Sequence, residues 1–441
     1  MSRYIFLATF VIAVILFTIE DSISQVSDLL VKETTSFLGI ALFVGISIVF
    51  IVISFVLIRL IKTSMSDFVN SSLRMIIMNR TVLVTQIALI GILIALVMQI
   101  IFLSQYYTLS LILATAISSI SATVITVISL LILVDWYRFN RSSYVVLIFA
   151  VSFAFSAYTF IYSAIDDSRN LIQKNQIVTP TSEVIYSTDT YQGTGSIQEI
   201  LSNIFQYAGT VSFILLIVGS AIMLRHYSVK TGPVKFWILI LLPLVYFTST
   251  LVDTSGVYIP KSDTEKFNYY VYASLVGIIG GLLLGFLFWI ISRAMKPNKS
   301  VANYLIFCAY GFILQSVAAV GGVSAASYPP FGYASLSMST LSSFMVILGL
   351  YSTAISISQD VILRKYIKDL TLSDSGFLST IGEAQMEKQV QSKASDLENV
   401  VKEQRKELEK KTGIQSSIQE QDIKGYLLEV LQEVDKYKSA K

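Results

Sequence analysis

One cysteine and one histidine stand in 441 residues, and their scarcity removes whole classes of chemistry. Cys308 has no partner for an intrachain disulfide and lies inside an apolar run, where it reads as a packing residue. His226 falls in Arg225-His226-Tyr227, a solvated position beside a helix end. Zinc, iron–sulfur and bis-histidine haem sites lack ligands within the chain, so no metal or cofactor site and no catalytic residue is expected. Charge is scarce too: 14% of residues are Asp, Glu, Lys or Arg, against about a quarter in a soluble domain. No soluble surface can be built from that share. The net charge of +3 gives no argument for a nucleic-acid partner, because nearly half of the charged residues lie after residue 358.

Long apolar runs fill the chain instead, with 54% hydrophobic residues. Runs long enough to cross about 30 Å of hydrocarbon at 1.5 Å per residue occur near 37–58, 81–103, 109–134, 143–165 and 204–224. Four more follow near 236–252, 269–292, 301–322 and 333–357. A further run, Tyr4 to Ile19, follows Met1-Ser2-Arg3 and precedes Ser22-Ile23-Ser24. Residues 1–24 are therefore either a signal peptide cleaved after Ser24 or a first transmembrane helix. The expected fold is all-α, a polytopic bundle of nine or ten spans over residues 25–358, with a charged helical tail at 359–441.

Orientation follows from lysine and arginine. One set of loops carries Arg59, Lys62, Arg74 and Arg80, then Arg138 and Arg141, then Arg225, Lys230 and Lys235, then Arg293, Lys296 and Lys299. The alternate set is acidic: Glu20, Asp21, Asp28 and Glu33, then Asp166, Asp167, Glu183, Asp189 and Glu199, then Asp253, Asp263 and Glu265. The basic side, and the tail with it, is expected in the cytoplasm of a plasma-membrane protein. Trp136, Trp237 and Trp289 fall at the basic ends, as interfacial rings do. Asn70, Asn79, Asn140 and Asn298 open Asn-x-Ser/Thr matches on the same side, so no glycosylation is read from them.

No ionisable residue falls in the middle of a run, which argues against proton pumps, ion-coupled carriers and retinal proteins. Small residues are the organising feature. Ala273, Gly277, Gly281 and Gly285 recur every four positions as a helix-packing stripe. Thr115, Ser119, Ala122, Thr126 and Ser129 form a second seam, and Gln86 and Gln99 add polar capacity. The segment from Gln315 to Tyr328-Pro329-Pro330-Phe331-Gly332-Tyr333, with Ser335 and Ser339 after it, breaks a helix at consecutive prolines. It reads as a shaped outer pocket or as a rigid turn between packed helices.

The tail opens with Arg364, Lys365 and Lys368, placed to meet anionic headgroups. Val390, Leu397, Val401 and Leu408 make a short heptad seam, and Leu427, Val430 and Val434 repeat it after a Ser417/Glu420 capping box. Residues 383–441 are expected to self-associate or to bind a partner protein, and the bilayer is the other expected partner. No nucleotide loop, kinase motif or histidine lies in the tail.

At Tyr328-Pro329-Pro330-Phe331-Gly332, Ile357-Ser358-Gln359-Asp360 and Ile381-Gly382-Glu383-Ala384-Gln385-Met386-Glu387, the chain resembles uncharacterised multispanning membrane proteins of ammonia-oxidising archaea. The resemblance covers roughly the last quarter. It implies an archaeal cytoplasmic membrane and a sensor-like layout, and it carries no activity or functional residues. The expected function is a non-catalytic receptor or scaffold signalling through the tail; the alternative is a carrier or channel for a neutral or weakly polar solute.

Overall fold

The structure, a computed structural model, describes residues 3–25, 34–69, 72–139, 141, 144–180, 197–226, 263–294, 299–320, 327–359, 378 and 380–389. Helices take up nearly all of them. In chain order these are α1 (Arg3–Gln25), α2 (Phe37–Ser64), the short α3 (Ser66–Val69), α4 (Leu73–Leu103), α5 (Thr108–Phe139), α6 (Tyr144–Ile172), α7 (Ile197–His226), α8 (Asp263–Ala294), α9 (Lys299–Val320), α10 (Tyr333–Ser337) and α11 (Ser339–Gln359). A further helix, α12, covers 380–389. Two-residue strands β1 (Tyr106–Tyr107) and β2 (Ile177–Val178) pair antiparallel and tie the α4–α5 turn to the chain after α6.

Local chemistry sets the helix starts. Ser36 and Ser72 precede α2 and α4, and their hydroxyls accept from the amides of Gly39 at 3.2 Å and Met75 at 3.3 Å, satisfying orphan first-turn donors. The rest of each helix is held by its surroundings. Side chains such as Phe55, Val84, Ile87, Leu109 and Ile120 are exposed around the bundle, an arrangement stable only where the solvent is hydrocarbon. The protein is a membrane-embedded helical bundle. Among the described residues six helices are long and apolar enough to cross a membrane: α2, α4, α5, α6, α9 and the combined α10–α11 stretch. The expected runs at 204–224 and 269–292 fall in α7 and α8, whose described apolar stretches, Tyr207–Ile222 and Gly281–Arg293, are shorter. The run at 236–252 lies outside the described residues.

Packing is centred on α11. Its neighbours are α9, α5 and α4, and 94% of the α10–α11 apolar stretch is buried, against 28% for α4. The α9–α11 seam is close because glycines face backbone from both sides. A Cβ on Gly311 would stand 2.7 Å from the Val346 amide nitrogen, and one on Gly349 2.7 Å from the Tyr304 carbonyl oxygen. Along α8, Gly281 and Gly285 lie against α9, where a Cβ would overlap Ser316 and Ile313 respectively. The side-chain surroundings of Ala273 and Gly277 lie outside the described residues.

Two expectations are corrected here. Glu20 and Asp21 are not loop residues: α1 continues to Gln25 and both are fully buried. Asp166 and Asp167 also belong to a helix, since α6 runs to Ile172. Neither stretch contains a glycine or a proline, so the helix persists into what charge alone marks as a loop.

Candidate functional site

Residues 327–339 enter the bundle as an irregular segment and then a broken helix. Tyr328-Pro329 is a cis peptide, and Gly332 takes φ 92°, a backbone that an L side chain rarely adopts. One turn of helix follows (α10), and Met338 separates it from α11. Tyr328, Pro329, Pro330, Phe331, Tyr333, Ser335 and Ser339 are all buried, and α10 is closed in by α1, α2, α4, α5 and α9. Gln315 lies half-buried on α9.

Aromatic contacts fix the way in. The Tyr106 hydroxyl donates to the Ser327 carbonyl at 2.7 Å, its ring stacks on Tyr328 at 6.3 Å between centroids, and Phe331 meets Phe43 edge-on at 5.7 Å. Burial pushes the Tyr106 phenol well above the ordinary tyrosine range, so it stays a donor.

The depth of α10 can be measured against α4. The Tyr333 hydroxyl donates to the Leu89 carbonyl at 2.7 Å, and the Gln86 side-chain amide donates to the Ser337 carbonyl at 2.9 Å. Leu89 lies about 21 Å along α4 from its end at Leu103, and Gln86 about 20 Å from its start at Leu73. Both contacts are therefore near the middle of α4. On α5, Ser118 donates to the Leu336 carbonyl at 2.9 Å and accepts at its own carbonyl from Thr340 at 3.0 Å.

Against this mid-bundle segment stand the two carboxylates. Glu20 accepts from the amides of Ala334 at 3.0 Å and Ser335 at 3.1 Å, one on each oxygen. The Ser335 hydroxyl donates to Asp21 Oδ1. The first amides of a helix carry the positive end of its dipole and lack intrahelical acceptors. Glu20 thus fills, from another helix, the place an N-cap side chain would take, since Gly332 supplies no side-chain cap. The pair follows the apolar run of α1 rather than interrupting it, and is nonetheless buried against this segment. Asp21 Oδ2, Gln86 Oε1, Thr115 Oγ1, Ser343 Oγ and Ser352 Oγ are buried without a hydrogen-bond partner among the described residues.

A second polar cluster lies at the end of the bundle marked by the basic loops. Helix α12 returns against it, with Leu378, Ile381 and Ala384 fully buried. Gly382 faces Ile357 so closely that a Cβ would overlap its side chain. Trp136 donates its ring N–H to Gln385 Oε1 at 3.0 Å and stacks on Tyr351 of α11. Asp135 Oδ2 bridges Arg74 at 2.6 Å and Lys388 at 3.0 Å. The side chains of α4, α5, α11 and α12 meet there. This cluster was not legible in sequence, where Gln385 and Lys388 precede the heptad seam and no local pattern pairs them with Asp135 or Trp136. The seam residues Val390, Leu397, Val401, Leu408, Leu427, Val430 and Val434 lie outside the described residues.

Among the described residues no group of three or more His, Cys, Asp or Glu side chains is placed to hold a metal ion. No protein-family model matches the sequence, and no curated protein and no solved structure matches it.

Proposed function

We propose that the protein is a non-catalytic membrane receptor or scaffold whose bundle sets the position of a cytoplasmic helical tail. The observation carrying this reading is the docking of α12 through Trp136–Gln385 and Arg74–Asp135–Lys388. A shift of α4, α5 or α11 at that end changes the seat of the helix from which residues 390–441 continue. The buried Glu20 contact ties α1 to the start of the α10–α11 stretch, and the far end of α11 meets the α12 seat through the Trp136–Tyr351 stack and the approach of Gly382 to Ile357. In this reading the chain makes nine or ten spans in a plasma membrane, α1 is retained, the basic loops face the cytoplasm, and the tail pairs with itself or a partner protein through its heptad residues. Crosslinking and pull-down from native membranes, with and without residues 390–441, test it. A crosslinked species or partner lost on truncation is expected; neither self-association nor a tail-dependent partner removes the proposal.

A second reading, a carrier or channel for a neutral or weakly polar solute, draws on the unpartnered polar atoms around the broken helix. Solute uptake into proteoliposomes that survives removal of the tail separates it from the receptor.

A further inference from the structure

A groove of about 1480 Å³ runs between α1, α8 and α9 on the outside of the bundle. Small-molecule pockets occupy about 300–1,000 Å³, so this one suits a larger, elongated occupant. Its walls include Leu7, Val11, Ile15, Leu282 and Phe286, which are 38–53% exposed. Whatever lies along them is apolar for most of its length.

The one cationic side chain among the described lining residues lies at one end, and away from that end Tyr310 is the polar side chain of the described lining. Ser292, Arg293 and Asn303 line that end, and among the described residues no acidic side chain lines the groove. The Ser292 hydroxyl is engaged at 2.8 Å by the Ala302 carbonyl, so it offers no donor. The Arg293 guanidinium lies over the Trp289 ring at 4.0 Å, which holds its plane at the mouth of the groove. A planar guanidinium presents paired N–H donors that match phosphate oxygens, and Asn303 adds an amide donor beside it. From Arg293 to Leu282 the groove follows α8 for about 16 Å, close to half of the about 30 Å hydrocarbon core. That is the reach of the chains in one leaflet.

We infer that this groove binds one anionic phospholipid, its phosphate held by Arg293 and Asn303 at the level of Trp289 and its chains lying along α1 and α8. Charge complementarity selects the headgroup: among the described lining residues there is one cation and no carboxylate, and the Trp289 ring lies beside that cation. The chains hold α1 against α8, so lipid occupancy stabilises the helix that carries Glu20 and Asp21.

Tryptophan quenching tests this on the full chain in micelles, in a W237F background, with Trp136 kept because it is fully buried. Brominated phosphatidylglycerol is titrated against brominated phosphatidylcholine. The anionic quencher is expected to reach half-effect at about fivefold lower mole fraction, the factor that one basic residue near an anionic surface contributes. Arg293→Gln should make the two curves coincide while circular dichroism stays unchanged. Val11→Phe, which fills the groove and leaves the charge, should weaken quenching by both lipids. Inorganic phosphate should not compete. Coincident curves in the W237F protein, a preference that survives Arg293→Gln, displacement by phosphate alone, or no quenching because a second copy of the chain covers the groove would each overturn the inference.

Discussion

Replacing Glu20 by alanine is the most informative single perturbation of the core. The side chain accepts two amide hydrogen bonds, at 3.0 and 3.1 Å, and is fully buried. Its removal leaves two buried N–H groups without acceptors, at about 1–3 kcal/mol each. The total loss is then about 2–6 kcal/mol. Glu20→Gln keeps one acceptor oxygen and turns an NH2 toward the other amide, so it should lose about half as much. Asp21→Asn is the control: Asp21 makes one hydrogen bond, from Ser335, and its other oxygen has no partner. An amide there still accepts from Ser335 and removes a buried charge, so little or no loss is expected. Reversible denaturation in mixed micelles, followed by tryptophan fluorescence and far-UV circular dichroism, gives the three differences side by side. Equal effects of Glu20→Ala and Asp21→Asn, or a Glu20→Ala protein as stable as the parent, would refute the idea that Glu20 caps α10 from across the bundle.

Asp135→Asn breaks both ion pairs at the α12 seat. Because the side chains involved are 22–42% exposed, stability should fall by only about 1 kcal/mol or less. Hydrogen exchange of residues 380–389 should nonetheless rise, and unchanged exchange would count against docking through Asp135. Gly349→Val places atoms against the Tyr304 carbonyl and the Cys308 amide, and thermal unfolding should report a loss of about 1–3 kcal/mol or more. Gly45→Ala and Gly91→Ala, where a Cβ meets nothing within 4 Å, should leave the melting temperature level or raise it, by up to about 1 kcal/mol of helix propensity. Gly332→Ala forces an L side chain to φ 92° and should cost about 1–2 kcal/mol in the same assay.

The helical membrane class was fixed by composition, since apolar runs of helix length with 14% charged residues overall leave side chains that only hydrocarbon accommodates, and in hydrocarbon a helix satisfies the backbone within each run. Helix positions were equally legible: α2, α4, α5, α6, α9 and α11 begin and end within several residues of the apolar runs, because run length against bilayer thickness is a local property. Apolar runs do not say which helix is central. α4 and α11 are both long and apolar enough to cross a membrane, yet 28% of the apolar stretch is buried in one and 94% in the other, a difference made by the helices that surround α11.

The polar sites needed tertiary structure for the same reason. Glu20 and Asp21 look like the first outer loop until Ala334 and Ser335, more than three hundred residues later in the chain, are brought against them. Gln385 and Lys388 gain their partners only when Trp136 and Asp135 are brought against them. Local sequence set the solvent and the positions of the apolar helices, which depend on a few neighbouring residues, but not how far α1 and α6 run on past their apolar cores. Only the packed bundle decided which charges are buried, because that depends on partners that no local pattern names.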